Sequence, residues 1–254
     1  MPEVTLDGIS CFYTGHDLDA PVTLICIHGA GCDHSIWPPA LFQLENCNIY
    51  GLDLPGHGRS DGETLATIDD HAELVAEFID FLDADRVVLA GHSMGGGIAL
   101  TLGQEQPSWL QGLIILGCGP TLRISERLLD LFVDDPEEAI DEMSRAIFSP
   151  MASPSLAERF RETSRHVPAD VWLRDFNACN HFDIRDCLDA IPQRTLLLSG
   201  DSDRMTPLGE AQRLEDGLPN ARLAVVAPAG HMLPVEQPTD VTRLMDDFIR
   251  RHFV

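Results

Sequence analysis

The stretch Gly91-His92-Ser93-Met94-Gly95-Gly96 sets a single hydroxyl on a corner crowded with glycine. Glycine weakens the interiors of both strands and helices, so its presence here needs a reason. The G-x-S-x-G spacing lies between an apolar run, RVVLAG (86–91), and a helical pattern, IALTLG. A sharp strand-to-helix turn of this kind forces serine into a strained backbone conformation, and it requires small neighbours where strand and helix approach. The following helix directs its free N–H groups and the positive end of its dipole towards charge developing at the serine. The chemistry implied is nucleophilic attack by Ser93.

A serine hydroxyl needs a base. Of the ten histidines, His231 stands out: it lies in PAGHMLPVEQP, after the apolar run 223–229 and just before the last helical pattern. A loop at the carboxyl end of that strand can reach across the sheet to Ser93. His92, adjacent to Ser93, points elsewhere on its turn. The base in turn needs an acid to hold its tautomer and to stabilise the imidazolium. Asp201 and Asp203 both follow the run TLLLSG (195–200). Asp203 lies further into the loop and can turn back towards His231, whereas Asp201 can cap local backbone N–H groups. An oxyanion also needs donors. The turn His28-Gly29-Ala30-Gly31 leaves backbone N–H groups free, and Ala30 and Met94 are the expected pair. His28 is expected to organise that loop.

These residues must be held by a scaffold, and the chain supplies one. The runs VTLICIH (22–28), NIYGLDL (48–54), RVVLAG (86–91), LIILG (113–117), TLLLSG (195–200) and LAVVAPA (223–229) are almost continuously apolar. Strands buried on both faces have this appearance, which predicts a mostly parallel open sheet with helices on both faces. PEVTLDG and ISCFYTG predict an antiparallel edge hairpin turning at Asp7-Gly8. Helical faces are formed by Leu74, Val75, Phe78, Phe81 and Leu82, and by Val241, Leu244, Met245 and Phe248 after Pro238. From Pro120 to Ile191 the alternation stops and short amphipathic helices follow. One starts at Asp135-Pro136 and carries Ile140, Met143 and Ile147; another starts at Ser153-Pro154; a third carries Val171, Trp172, Phe176 and Cys179. The expected organisation is a core of residues 1–119 and 192–254, interrupted by a helical cap at 120–191.

Composition narrows the function classes. The formal net charge is −24, and all 17 basic residues are arginine. Such a surface repels phosphate, so neither nucleic acid nor an anionic membrane is an expected partner. No apolar run reaches the length of about 20 residues that spans a bilayer. MPEVTLDGIS has neither the basic nor the apolar region of a secretory signal. The seven cysteines include no C-x-x-C pair, which suggests reduced thiols and a cytoplasmic protein. No cluster has metal-ligand spacing outside the serine site, and neither a metal nor another cofactor is expected.

Taken in order, HGAG (28–31), DLPGHGRS (53–60), GHSMGG (91–96), GDSDRMTP (200–207) and GHMLPVEQP (230–238) resemble the successive landmarks of the α/β-hydrolase superfamily, in its single-domain esterase, lactonase and C–C bond hydrolase branch. The resemblance spans all but the cap. It implies the α/β-hydrolase fold, with Ser93 as nucleophile, His231 as general base and then acid, Asp203 as its partner, and the Ala30 and Met94 amides as oxyanion donors. DLPGHGRS is then a structural loop, so His57 is not expected to be catalytic. Haloalkane dehalogenases and epoxide hydrolases of this fold carry aspartate at the position of Ser93, which argues against both activities. The expected function is cofactor-independent hydrolysis of a small ester, thioester or lactone through an acyl-enzyme. A C–C bond hydrolase or lyase is the alternative within enzymes, and a slow-turnover small-molecule receptor the alternative outside them. Trp37, Phe132, Phe148, Trp172, Phe176 and Phe182 are candidate apolar pocket residues, and Arg123, Arg174 and Arg185 candidate cations for a substrate carboxylate. The oligomeric state is not legible.

Overall fold

The computed structural model describes residues 2–254. Its strands are β1 (Glu3–Leu6), β2 (Ile9–His16), β3 (Thr23–Ile27), β4 (Asn48–Leu52), β5 (Val87–His92), β6 (Leu110–Leu116), β7 (Arg194–Gly200) and β8 (Ala221–Val226). Its helices are α1 (Ile68–Phe81), α2 (Met94–Glu105), α3 (Glu126–Asp134), α4 (Pro136–Ile147), α5 (Pro154–Ser164), α6 (Ala169–His181), α7 (Leu208–Gly217), α8 (Leu233–Glu236) and α9 (Pro238–His252). The strands form one eight-stranded sheet in the order β1-β2-β4-β3-β5-β6-β7-β8. The first two joins are antiparallel and all others parallel. This is the mostly parallel sheet that the apolar runs predict, in the α/β-hydrolase fold that the motif resemblance implies. The hairpin turns at Asp7 and Gly8, whose φ angles of 43° and 78° give the left-handed pair that matches strand twist.

Strand pleat explains why the runs look continuously apolar. Leu24, Cys26, Val88, Ala90, Ile114 and Leu198 pack on one face with Val241, Met245 and Ile249 of α9. Ile25, Ile27, Leu89, Ile115 and Leu197 pack on the other with Val75 and Phe78 of α1 and Ile98 of α2. Successive side chains therefore enter different layers, and both are dry. Each buried Val, Leu, Ile, Met or Phe among them contributes about 1.5–3 kcal/mol. This two-sided layer fixes where the carboxyl ends of β3, β5, β7 and β8 emerge, and the loops of interest start there.

Between β6 and β7 lie α3 to α6, and an isolated antiparallel bridge from Thr121 to Asp183 pairs the two ends of this segment with each other. Asp135 caps α4 by accepting the Glu138 N–H at 3.1 Å, with Pro136 in the first turn. Pro154 likewise opens α5. The helix α3 precedes the expected start at Asp135; Ser125 caps it by accepting the Leu128 N–H. No described helix is long and apolar enough to cross a membrane.

Candidate active site

Ser93 sits between the end of β5 and the first residue of α2, with φ 53° and ψ −114°. This is strained backbone for any residue with a Cβ. Three hydrogen bonds hold it: the Ser93 N–H donates to the Leu116 carbonyl at 2.8 Å, and the Ser93 carbonyl accepts from the Gly96 and Gly97 N–H groups. The flanking glycines are dictated by proximity. A Cβ on Gly91 would lie 2.1 Å from the Gly95 carbonyl oxygen, and one on Gly95 would lie 2.3 Å from the Ile27 carbonyl oxygen. Only bare backbone lets β3, β5 and α2 meet there.

Asp203 and His231 come together after β7 and β8. The His231 Nδ1 lies 2.9 Å from Asp203 Oδ2, and both residues are buried. Asp203 Oδ1 accepts the Met205 and Thr206 N–H groups at 2.9 and 2.8 Å. Burial pushes this carboxyl up, but His231 and those amides outweigh it and hold Asp203 below its ordinary range. An ionised carboxylate only accepts, so Nδ1 carries the proton of this bond, and Nε2 is the ring nitrogen left for other partners. Thr206 Oγ1 stands 3.1 Å from the same Nδ1 and donates to the Gly117 carbonyl at 2.8 Å. The His231 N–H donates to the Ile147 carbonyl at the end of α4.

Ser93 and His231 line one cavity of about 50 Å³, together with Gly29, Ala30, Trp172 and Phe176. A second cavity, of about 310 Å³, shares Cys32, Phe160 and Met232 with the first and is lined further by Trp37, Phe148 and Leu156. The Ala30 and Met94 N–H groups have no acceptor among the described residues. Cys32 also lines the Ser93 cavity, and burial pushes its thiol up to about 12.

The neighbouring histidines hold loops. His28 Nδ1 donates to the Gly29 carbonyl, and its Nε2 accepts the Leu54 N–H. Burial, and then His57, bring its pKa down to about 4, so it stays neutral. His92 is pressed down to about 3 by burial and by His231. Asp201, the other aspartate after β7, accepts the Ala229 N–H at 3.0 Å. Asp33, His34 and Asp53 lie close enough together to hold a cation. Both oxygens of Asp53, however, already accept within the loop: Oδ1 from the His34 N–H and the His34 ring, and Oδ2 from the Arg59 N–H.

Not every expected pocket residue reaches a cavity. Trp172 and Phe176 line the smaller one, and Trp37 and Phe148 the larger. Phe132 lies instead beside Trp172, with ring centroids 5.5 Å apart, and Phe182 packs near Gly97 of α2. Arg123 lines the smaller cavity, but it donates to the Asn180 carbonyl and lies 3.5 Å from Asp183. Arg174 pairs with Glu63, and Arg185 with Asp183. Two carboxylates escaped the sequence reading. Glu236 accepts the Gly230 and Ser149 N–H groups and so ties the His231 loop to the end of α4. Asp175 of α6 is fully buried. Its signal was present: Trp172, Asp175, Phe176 and Cys179 share one helical face, and an aspartate on a buried face must have partners.

The Alpha/beta hydrolase family model matches residues 24–244. A 2-hydroxymuconate semialdehyde hydrolase from Pseudomonas putida is 27% identical over 98% of this chain and 95% of its own. The solved structure of a thermophilic esterase superposes with a TM-score of 0.87 at 26% identity, covering 98% of this chain and 97% of that one. Est816, described as an N-acyl homoserine lactone degrading enzyme, gives 0.86 at 26% identity, covering 97% and 100%. The chain belongs to the alpha/beta hydrolase family and is a hydrolase.

Proposed function

We propose that this member of the family is a serine hydrolase that cleaves a small ester, thioester or lactone through an acyl-enzyme. The carrying observation is His231: its Nδ1 is locked on Asp203 at 2.9 Å, and its ring lines the cavity that also holds Ser93. Nε2 accepts the Ser93 proton as Oγ attacks the carbonyl carbon. The oxyanion develops towards the Ala30 and Met94 N–H groups at the N-terminus of α2. His231 then protonates the leaving oxygen or sulfur. In the second half it deprotonates water, which attacks the acyl carbon and releases the acid and Ser93. Asp203 stabilises the imidazolium in both halves. Each oxyanion donor is worth about 10²- to 10³-fold in rate. Residues 120–191 serve as a cap that walls the pocket through Trp172 and Phe176.

A fluorophosphonate probe with peptide mapping tests this reading. It should label Ser93 in the native protein and no residue in Ser93→Ala, and hydrolysis of short-chain p-nitrophenyl esters should disappear in that variant. Esterase activity surviving in Ser93→Ala would refute it. Similarity to the P. putida hydrolase favours C–C cleavage as a second reading. The mostly apolar cavity and the prior engagement of Arg123 favour the uncharged ester. A side-by-side panel of esters and vinylogous diketones separates the two.

A further inference from the structure

Asp175 sits on α6, and its three hydrogen bonds all leave that helix. Oδ2 accepts the Gly31 N–H and the His57 Nε2, each at 2.8 Å, and Oδ1 accepts the Thr64 hydroxyl at 2.6 Å. His57 also donates Nδ1 to the Pro55 carbonyl at 2.9 Å. Both ring nitrogens therefore face acceptors and both carry protons, so His57 is a buried cation beside a buried anion. Burial opposes that charge, but Asp175 overcomes it and raises the His57 pKa. Gly31 belongs to the turn that carries Ala30. It lies in the left-handed region at φ +59°, and the Trp172 ring packs so closely over it that a Cβ there would stand 2.3 Å from the indole. One turn of α6 thus grips this loop twice, by an ionic acceptor and by an aromatic plate. Trp172 and Phe176 of the same helix wall the Ser93 cavity.

We infer that Asp175, supported by His57, is a positioning residue that sets the Gly29–Gly31 turn so that the Ala30 N–H faces the oxyanion, coupling the seat of α6 to assembly of the donor pair. The inference rests on the serine hydrolase reading. A buried pair of this kind is a poor source of net stability, and the peptide N–H it holds is adjacent to the donor. Binding of the uncharged ester depends on apolar walls, whereas the developing oxyanion depends on the Ala30 N–H, so the effect belongs in kcat rather than in KM.

The test compares Asp175→Ala, Asp175→Asn and Thr64→Val with p-nitrophenyl butyrate, reading kcat, KM and melting temperature. Asn retains an acceptor for Gly31 without the charge; Val removes one Asp175 contact without touching the turn. Expected are a kcat loss of about 100-fold in Asp175→Ala with little change in KM, about the value of one misplaced oxyanion donor. Asp175→Asn should recover about tenfold of that loss, and Thr64→Val should melt lower but keep kcat within about twofold of the parent. If Asp175→Ala does not fold, Asp175→Asn must still fall clearly below Thr64→Val in kcat. Equal kcat in those two, or an Asp175→Ala enzyme as fast as the parent, overturns the assignment. Failure of the serine reading shows separately, as activity that survives in Ser93→Ala.

Discussion

His92 Nε2 stands 2.9 Å from the carbonyl oxygen of His231. A carbonyl only accepts, so His92 must carry its proton on Nε2, and its low pKa keeps it neutral. The residue next to the candidate nucleophile therefore holds the backbone of the candidate base. Their rings also meet, with centroids 4.9 Å apart. The strand that presents Ser93 and the loop that presents His231 are joined by this bond as well as by the fold.

Removing that bond should loosen the base without touching the nucleophile. His92→Ala leaves a buried carbonyl without its donor, which costs about 1–3 kcal/mol. Melting should drop accordingly, and kcat should fall while fluorophosphonate still finds Ser93. A variant that melts and turns over like the parent would show the bond to be idle.

Acid should destabilise the protein well above the carboxylate range. His28, His71 and His92 are held neutral by burial, near 4, 4 and 3 against an ordinary 6.5. Above pH 6.5 neither folded nor unfolded chain is protonated there, and nothing is lost. Below it the unfolded chain binds protons first, and each histidine removes about 1.4 kcal/mol per pH unit until its folded value is reached. Asp175 and Asp203, held low, add to the loss further down: their stabilisation exists above the unfolded carboxylate value and vanishes as pH falls through their folded values. His57 has the opposite sign. Its raised pKa gives stability that is present below 6.5 and fades as pH rises through the folded value. Melting temperature followed from pH 7 to 4 should fall steadily. His71→Gln should flatten the slope, and parallel curves for the two proteins would contradict this account.

Much of this arrangement is legible in the sequence. The continuously apolar runs reveal the parallel sheet because both faces of it are dry, and the glycines around Ser93 reveal the turn because only bare backbone fits there. Asp135-Pro136 marks the start of α4 because capping is local. The seat of Asp175 was not readable. Its partners Gly31, His57 and Thr64 come from loops more than a hundred residues away in sequence, and no local rule links them. The unused aromatics fail for the same reason: facing inward from a helix does not distinguish the cavity from the rings stacked behind it, as Phe132 behind Trp172 shows.

Strain at Ser93 predicts a trade between activity and stability. Ala at this position keeps the Cβ and so the unfavourable φ of 53°; Gly removes it. Against strain of about 1–3 kcal/mol, Gly loses up to about 1 kcal/mol through the entropy of the unfolded chain. Both variants should be inactive, with Ser93→Gly more stable than Ser93→Ala by about 1 kcal/mol in urea unfolding. Equal midpoints would mean that the turn relaxes without cost.

Chain-length preference should be set by Phe160. Its ring lines both the 50 Å³ cavity at Ser93 and the 310 Å³ cavity beyond, and it meets Phe148 and Trp172 edge-on at 5.9 and 6.5 Å. The smaller space suits a short acyl group, and the larger has apolar walls from Ile36, Phe148, Leu156 and Val167. Phe160→Ala joins the two. Because each methylene seated in an apolar pocket is worth about 1–3 kcal/mol, kcat/KM for octanoyl over acetyl p-nitrophenyl esters should rise about tenfold or more. Leu156→Trp fills the outer cavity and should reverse that gain when combined with Phe160→Ala. An unchanged acyl profile in both variants would place the acyl chain elsewhere and leave the outer cavity to the leaving group, a possibility that a matching series of alcohol lengths tests directly.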